Sequence, residues 1–356
     1  MADRNQIESY LTGCDTTPLF LAGDARSVLL QLPADSVDCC ITSPPYWGQR
    51  SYENGGIGLE NNITEYIANL LAIIAEVKRV IKPTGSFWLN LGDTYHNKSL
   101  LGIPWRVALQ LTDIQGWILR NSIAWNKHKG GLDSASDRLR NVHENVFHFV
   151  KSATGYYYND KAIRSNPRQT IVKNGSVISA TGVSGVSYKR KIELSTSLTI
   201  EEKVNAFAAL ENVLKRISAG EITDFRMIIR DCHRATHSDK GQVSGRAKEV
   251  QANGFYFLFY NPNGTLPGDV WDILPEDTQK RAKHYAPFPE DLCRLPILAT
   301  CPPDGVVLDP FCGTGTANKV AFDLNRKSIG IDLSEEYLAI ARSRNPQLKL
   351  ALGHYE

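Results

Sequence analysis

Two hydrophobic rhythms alternate along the chain. The runs "SVDCCITS", "SFWLNLGD", "WILRNSIAWNK" and "ENVFHFVKS" have the length and the β-branched or aromatic content of strands, the first of them buried. Between them, Glu65 to Ile81, "EYIANLLAIIAEVKRVI", repeats its apolar residues at helical spacing and predicts an amphipathic helix ended by "KPTG". "IPWRVALQLTDIQG" predicts another helix, with Pro104 at its start and Gly116 at its end. Residues 18 to 160 and 266 to 345 share this texture, which is that of strand and helix units in a parallel sheet. Residues 165 to 265 break it. There "VKNGSVISATGVSGVSYKRK" is rich in Gly, Ser and Lys, a helix is predicted from about Thr199 to Ala219, and "GFYFLFY" reads as one apolar strand more fit for a lobe core than for a stacking platform. The pattern divides the chain into 1–164, an inserted irregular lobe at 165–265, and 266–356.

Two strand ends carry candidate chemistry. In "CCITSPPYWGQRSY", Pro44 and Pro45 stop a buried strand, because neither ring nitrogen can donate to a ladder and each fixes its own φ. The stiffened turn presents Ser43, Tyr46 and Trp47 where open α/β sheets keep their binding crevice. In "GVVLDPFCGTGTANKVAF", an apolar strand ends in Asp309, followed by a glycine-containing turn and a helix; the next strand, in "KSIGIDLSEEYLAIARS", ends in Asp332, 23 residues after Asp309. Glycines at such a turn let a ligand approach the backbone, and a carboxylate at the next strand end accepts from ribose hydroxyls. A dinucleotide fingerprint wants a third glycine, but position 318 is Asn. A ribose-bearing cofactor without phosphates, S-adenosylmethionine, fits better.

Composition narrows the class. With 356 residues, 42% hydrophobic and 22% charged, the chain can form one large globular domain or two ordinary ones. Its start lacks a secretory pattern and no apolar run reaches the roughly 18 residues of a membrane span, so cytoplasm is the expected compartment. Seven cysteines without a C-x-x-C pair predict reduced, mostly buried thiols rather than a disulfide framework or zinc ribbon. "HENVFH" spaces His143 and His148 five apart in a strand pattern, so no metal is expected. The net charge of +2 is uneven: Arg164 to Glu249 holds 15 Lys plus Arg against 9 Asp plus Glu, or +6, leaving −4 elsewhere. That asymmetry points to a polyanion partner, with "YKRK" (Tyr188 to Lys191) either a phosphate contact or a solvated loop.

"DPFCGTGT" resembles the cofactor loop of S-adenosylmethionine-dependent DNA amino-methyltransferases, and "TSPPYW" resembles their catalytic tetrapeptide, Asp, Asn or Ser followed by Pro, Pro and an aromatic. The tetrapeptide precedes the cofactor loop with the variable lobe between, as in the permuted group called class β. The resemblance implies a Rossmann-like α/β fold: a mostly parallel seven-stranded sheet with helices on both faces, circularly permuted, plus an inserted target-recognition lobe. It further implies catalysis by Ser43, Pro44, Pro45 and Tyr46 and a cofactor site of Asp24 (near the adenine), Asp309, Phe311, Gly313, Gly315 and Asp332 (at the ribose); the DNA contacts expected are Trp47 beside the tetrapeptide and, from the basic charge of the lobe, Lys189, Arg190 and Lys191. Ala286 and Phe288 stand at cofactor positions where many adenine-specific relatives have the Thr and Lys of a His-Pro-Thr-Gln-Lys-Pro motif, a departure that touches how the methionine carboxylate is held.

The chemistry fits the tetrapeptide. An exocyclic base amine is a poor nucleophile until hydrogen bonds to its N–H groups release its lone pair; Ser43 Oγ can accept one and the carbonyl of Pro44 or Pro45 the other. Tyr46 would stack on a base flipped from double-stranded DNA. Ser before Pro-Pro-Tyr is typical of cytosine-N4 enzymes and Asp of adenine-N6 enzymes, so N4-cytosine is favoured, with N6-adenine as the alternative. A catalytically silent DNA-binding module of the same fold is the reading from another class. A second copy of the chain and a cognate restriction endonuclease are both compatible as partners.

Overall fold

The computed structural model describes residues 4–48, 56–128, 135–166, 169–173, 176–179, 182–230, 245–261, 263–275 and 289–344. The chain divides into two compact units, Met1–Ile163 with Gly268–Glu356, and Arg164–Pro267.

The first unit begins with α1 (Arg4–Thr12), β1 (Leu19–Ala22), α2 (Ala25–Leu29) and β2 (Val37–Thr42), followed by α3 (Ile63–Val80) and β3 (Ile81–Leu91). All six residues of β2 are buried, as expected for a central parallel strand. Helix α3 starts where Asn62 caps Glu65 N, and buries Tyr66, Ile67, Leu70, Ile73, Ile74, Val77 and Val80, one face at three- and four-residue spacing. The "KPTG" expected as a helix stop belongs to β3. Its ladder with β2 slips between Val37↔Ile81 and Cys39↔Ser86, and Pro83 falls in that irregularity, where its missing N–H costs nothing. A small hairpin, β4 (Tyr95–His96) and β5 (Ser99–Leu100), leads to α4 (Ile103–Asp113), with Pro104 in its first turn, then β6 (Ile118–Asn126) and β7 (His143–Val150).

After the second unit come β12 (Val270–Asp272), α8 (Glu290–Thr300), β13 (Val306–Asp309), α9 (Thr316–Asp323), β14 (Lys327–Asp332) and α10 (Glu335–Ser343). The main sheet runs β1-β14-β13-β2-β3-β7-β6-β12. An eighth short strand, β12, therefore joins the seven expected, pairing in parallel with β6. Only β7 is antiparallel to its neighbours. The chain goes from β13 to β14 in one direction and from β2 to β3 in the other, so the topological switch lies between β13 and β2, the place where open α/β sheets bind their ligands.

The second unit contains β8 (Ile171–Lys173), β9 (Ser176–Ile178), α5 (Gly185–Leu194), α6 (Ile200–Ser218), β10 (Phe225–Ile229), α7 (Gly245–Asn253) and β11 (Phe255–Phe259). It is less irregular than its composition suggested. Among the described residues two two-stranded antiparallel sheets form, β8 with β9 and β10 with β11, and Tyr188, Ile192, Leu210, Val213, Phe225 and Met227 belong to a core of its own. Helix α6 keeps the expected span because Thr199 and Glu202 form a reciprocal capping box. In "GFYFLFY", Phe255 and Phe257 pack against that core, the lobe-core role favoured for them.

Candidate active site

The parallel strands deliver Ala22, Asp332, Asp309, Thr42 and Leu91 to one edge of the sheet. Thr42 Oγ1 donates to Asp309 Oδ1 at 2.6 Å, tying the end of β2 to the end of β13. Asp309 Oδ1 also accepts from Phe311 N at 3.1 Å. Burial pushes the Asp309 carboxyl up to about 7 against the opposing effect of these two donors, and the nearby Asp332 charge adds to the rise. Asp332 spends both oxygens on backbone: Oδ2 accepts from Gly313 N at 2.9 Å and Oδ1 from Ser334 N at 2.8 Å. Its carboxyl is also raised, by burial against those two bonds. Gly315 stands at φ 72°, and a Cβ there would lie 2.9 Å from Ala341 Cβ and 3.0 Å from Phe20 Cζ, so only glycine closes this turn. Asp24 caps α2 through Ser27 N and lies just beyond Ala22, which pairs with Asp332.

On the other side of the switch, Ser43 Oγ lies 3.1 Å from Tyr46 Oη, and Tyr46 Oη donates to Glu144 Oε2 at 2.8 Å. Asn90 Nδ2 reaches Ser43 Oγ at 3.2 Å, Tyr46 Oη at 2.9 Å and Glu144 Oε2 at 2.8 Å. Lys127 ion-pairs with Glu144 Oε1, and its Nζ sits 4.6 Å from the centre of the Trp125 ring. Burial, with the Glu144 charge second, pushes the Tyr46 hydroxyl well above its ordinary range. The ring of Tyr46 is backed by Gly92, where a Cβ would lie 2.6 Å from Cε2. Tyr66 of α3 donates to Pro45 O at 2.9 Å, fixing the Pro-Pro turn from behind. Trp47 is half-buried, its indole N–H donating to Glu60 O at 2.9 Å.

Ser43, Pro44, Pro45, Tyr46, Asp309, Phe311, Gly313, Gly315 and Asp332 thus come together at adjacent strand ends. Ala286 and Phe288 lie outside the described residues. Lys189, Arg190 and Lys191 belong to helix α5 of the other unit, not to a loop; Lys189 pairs with Glu211, Lys191 lies over the Tyr188 ring, and Arg190 and Lys191 are exposed. His143 and His148 point to opposite faces of β7. His148 stacks on Trp88 and contacts Ser86 Oγ, and burial pushes it down to about 3, a neutral core residue. Sequence reading missed Thr42, Tyr66, Asn90, Lys127 and Glu144. One signal was visible: Glu144 is the acidic residue of the strand "HENVFHFV", near its start.

A DNA methylase family model, N6_N4_Mtase, matches residues 37–343. The chain belongs to this family. Its members are S-adenosylmethionine-dependent amino-methyltransferases acting on DNA. This methylase is 30% identical to Type II methyltransferase M.SfiI of Streptomyces fimbriatus, over 89% of the chain and 88% of that protein. It is 28% identical to Type II methyltransferase M.SmaI of Serratia marcescens, over 95% of the chain and 92% of that protein. Among solved structures, PvuII DNA methyltransferase (cytosine-N4-specific) shares the fold with a TM-score of 0.51 at 18% identity, covering 92% of this chain and 86% of that one.

The site of the methylase suits its cofactor. Two carboxyls, Asp309 and Asp332, end the paired strands β13 and β14 and are both raised by burial, a setting in which a cationic ligand such as a sulfonium is favoured. No helix among the described residues is long and apolar enough to cross a membrane.

Proposed function

We propose that this methylase transfers the methyl group of S-adenosylmethionine to the exocyclic N4 amine of a cytosine flipped out of double-stranded DNA. The observation that carries the reading is the Ser43 hydroxyl, fixed at the end of β2 beside the Asp309 loop. A carboxylate can only accept, and Tyr46 gives its proton to Glu144, so in the Ser43–Tyr46 contact it is Ser43 that donates. Ser43 Oγ keeps lone-pair capacity for an incoming amine N–H. Pro45 O already accepts from Tyr66, which favours the Pro44 carbonyl as the second acceptor. Both acceptors stand on a proline-stiffened turn and lose little freedom in use. A serine in this position, rather than an aspartate, supports cytosine.

Bound between Asp309, Phe311, Gly313, Gly315 and Asp332, S-adenosylmethionine would supply an electrophilic methyl group. Asp332 would meet the ribose hydroxyls and Asp24 would lie near the adenine. The Tyr46 ring, backed by Gly92 and held at its hydroxyl, suits stacking on the flipped base. The second unit, with exposed Arg190 and Lys191, would contact and read the duplex. The type II naming of relatives supports a cognate restriction endonuclease as partner.

Mass spectrometry of nucleosides from DNA treated with the protein tests the reading. N4-methylcytosine is expected, and Ser43→Ala should lose turnover far more than cofactor affinity. N6-methyladenine alone would overturn the base assignment while leaving amino-methyl transfer intact. An inert wild-type protein that still binds DNA would favour the silent module.

A further inference from the structure

The hydroxyls of Ser43 and Tyr46 and the Glu144 carboxylate form one directed chain, and the amine-activation role of Ser43 does not explain its far end. Oγ–H of Ser43 points to Tyr46 Oη at 3.1 Å, and Oη–H of Tyr46 points to Glu144 Oε2 at 2.8 Å. Glu144 reaches this edge because β7 runs antiparallel to β3 and β6, so its first residues lie beside the last residues of those strands, Asn145 opposite Leu91 and Glu144 opposite Trp125. Lys127, the residue after β6, closes the other carboxylate oxygen and is itself held against the Trp125 ring. Asn90 Nδ2 sits within bonding distance of all three oxygens of the chain. Gly92 leaves room for the Tyr46 ring that carries the middle link. Five side chains and one missing Cβ therefore fix a path from the acceptor of the amine to a charged sink.

We infer that Glu144, acting through Tyr46 and Ser43, takes up the proton that the base amine loses on methylation. The inference rests on amino-methyl transfer at Ser43 and holds for either base. As the amine lone pair forms the N–C bond to the methyl group, the S–C bond breaks and its electrons stay on sulfur as a neutral thioether. The amine N–H proton passes to Ser43 Oγ, the former Ser43 proton passes to Tyr46 Oη, and the former Tyr46 proton ends on Glu144 Oε2. Charge balances: the sulfonium charge disappears and the carboxylate becomes neutral, leaving Lys127 with a hydrogen-bonding partner. No tyrosinate is required, in keeping with the raised Tyr46 hydroxyl. Glu144 touches no substrate in this scheme and is a positioning and proton-accepting residue behind the catalytic hydroxyl.

Glu144→Gln separates this role from simple support, because the amide oxygen can still accept from Tyr46 but cannot take a proton. Tyr46→Phe keeps the stacking ring and removes the middle link. On DNA carrying the mapped site, each variant should lower single-turnover methyl transfer by about 100-fold or more, the contribution of general-base catalysis. The double variant should be no slower than the slower single one. Cofactor affinity by calorimetry and extrusion of the target, read by 2-aminopurine fluorescence, should stay near wild type. Glu144→Gln at a near-wild-type rate overturns the inference, as does multiplication of the two losses in the double variant. If Glu144→Gln fails to bind cofactor, Tyr46→Phe decides alone: an undiminished rate overturns the relay, and the 100-fold loss with intact base extrusion sustains it. A wild-type protein that methylates no base amine would instead remove the underlying activity.

Discussion

Asp309 is a buried carboxyl whose ionisation the fold resists, and replacing it with asparagine turns that resistance into a measurable pH dependence. Its carboxyl moves from the ordinary 3.8 to about 7, chiefly by burial. At 1.36 kcal/mol per pKa unit, the full cost of charging it in the folded state is about 4 kcal/mol. The native protein therefore binds more protons than the unfolded chain between those two values, and stability falls as pH rises through that window. Asp309→Asn keeps an Oδ1 to accept from Thr42 Oγ1 and Phe311 N, and carries no charge at any pH. Its stability relative to wild type should thus improve on going from about pH 5 to about pH 8, by about 2.5 kcal/mol, with every other titrating group common to both proteins. Urea unfolding of the cofactor-free proteins, with a slope of about 2–3 kcal/mol per molar, would show a relative midpoint displacement of about 1 M. Equal midpoint differences at the two pH values would refute the buried-carboxyl reading and leave Asp309 ionised throughout.

Asp332→Ala should weaken S-adenosylmethionine binding by about 2–3 kcal/mol, the penalty for removing a charged partner from buried polar groups; calorimetric titration of the folded variant checks it, and unchanged affinity would remove the ribose assignment. Gly92→Ala forces a Cβ to within 2.6 Å of Tyr46 Cε2, so the ring must shift; stability should fall by about 1–3 kcal/mol and kcat of the folded enzyme should fall with it, a wild-type kcat showing that the ring position is unimportant. Neutralising Lys189, Arg190 and Lys191 together should flatten the salt dependence of DNA affinity without changing which site is methylated, because phosphate contacts position and base contacts specify. An unaltered slope would mean that this face of α5 is only solvated.

Local pattern carried much of this protein. The apolar run of β2, the single buried face of α3 and the Thr199–Glu202 capping box are set by neighbours in sequence, so they were legible there. So was the pairing of a proline-stopped strand at Ser43 with a glycine turn after Asp309, since each motif lies within a few residues. Where pairing across the sheet decides, local signals mislead. Lys82 to Gly85 read as a helix stop, yet they begin β3, because a ladder slip opposite β2 accommodates Pro83. The lobe read as irregular from its Gly, Ser and Lys content, yet residues as far apart as Tyr188 and Phe225 close a core over it. The surroundings of Ser43 show the division most sharply. Ser43 and Tyr46 are three residues apart and were visible; Asn90, Lys127 and Glu144 follow 44 to 98 positions after Tyr46. Only the antiparallel return of β7 brings a carboxylate to the edge where parallel strands end, and hydrogen bonding depends on distance in space rather than along the chain. Sequence determined which motifs this protein carries, and tertiary structure decided which side chains stand around them.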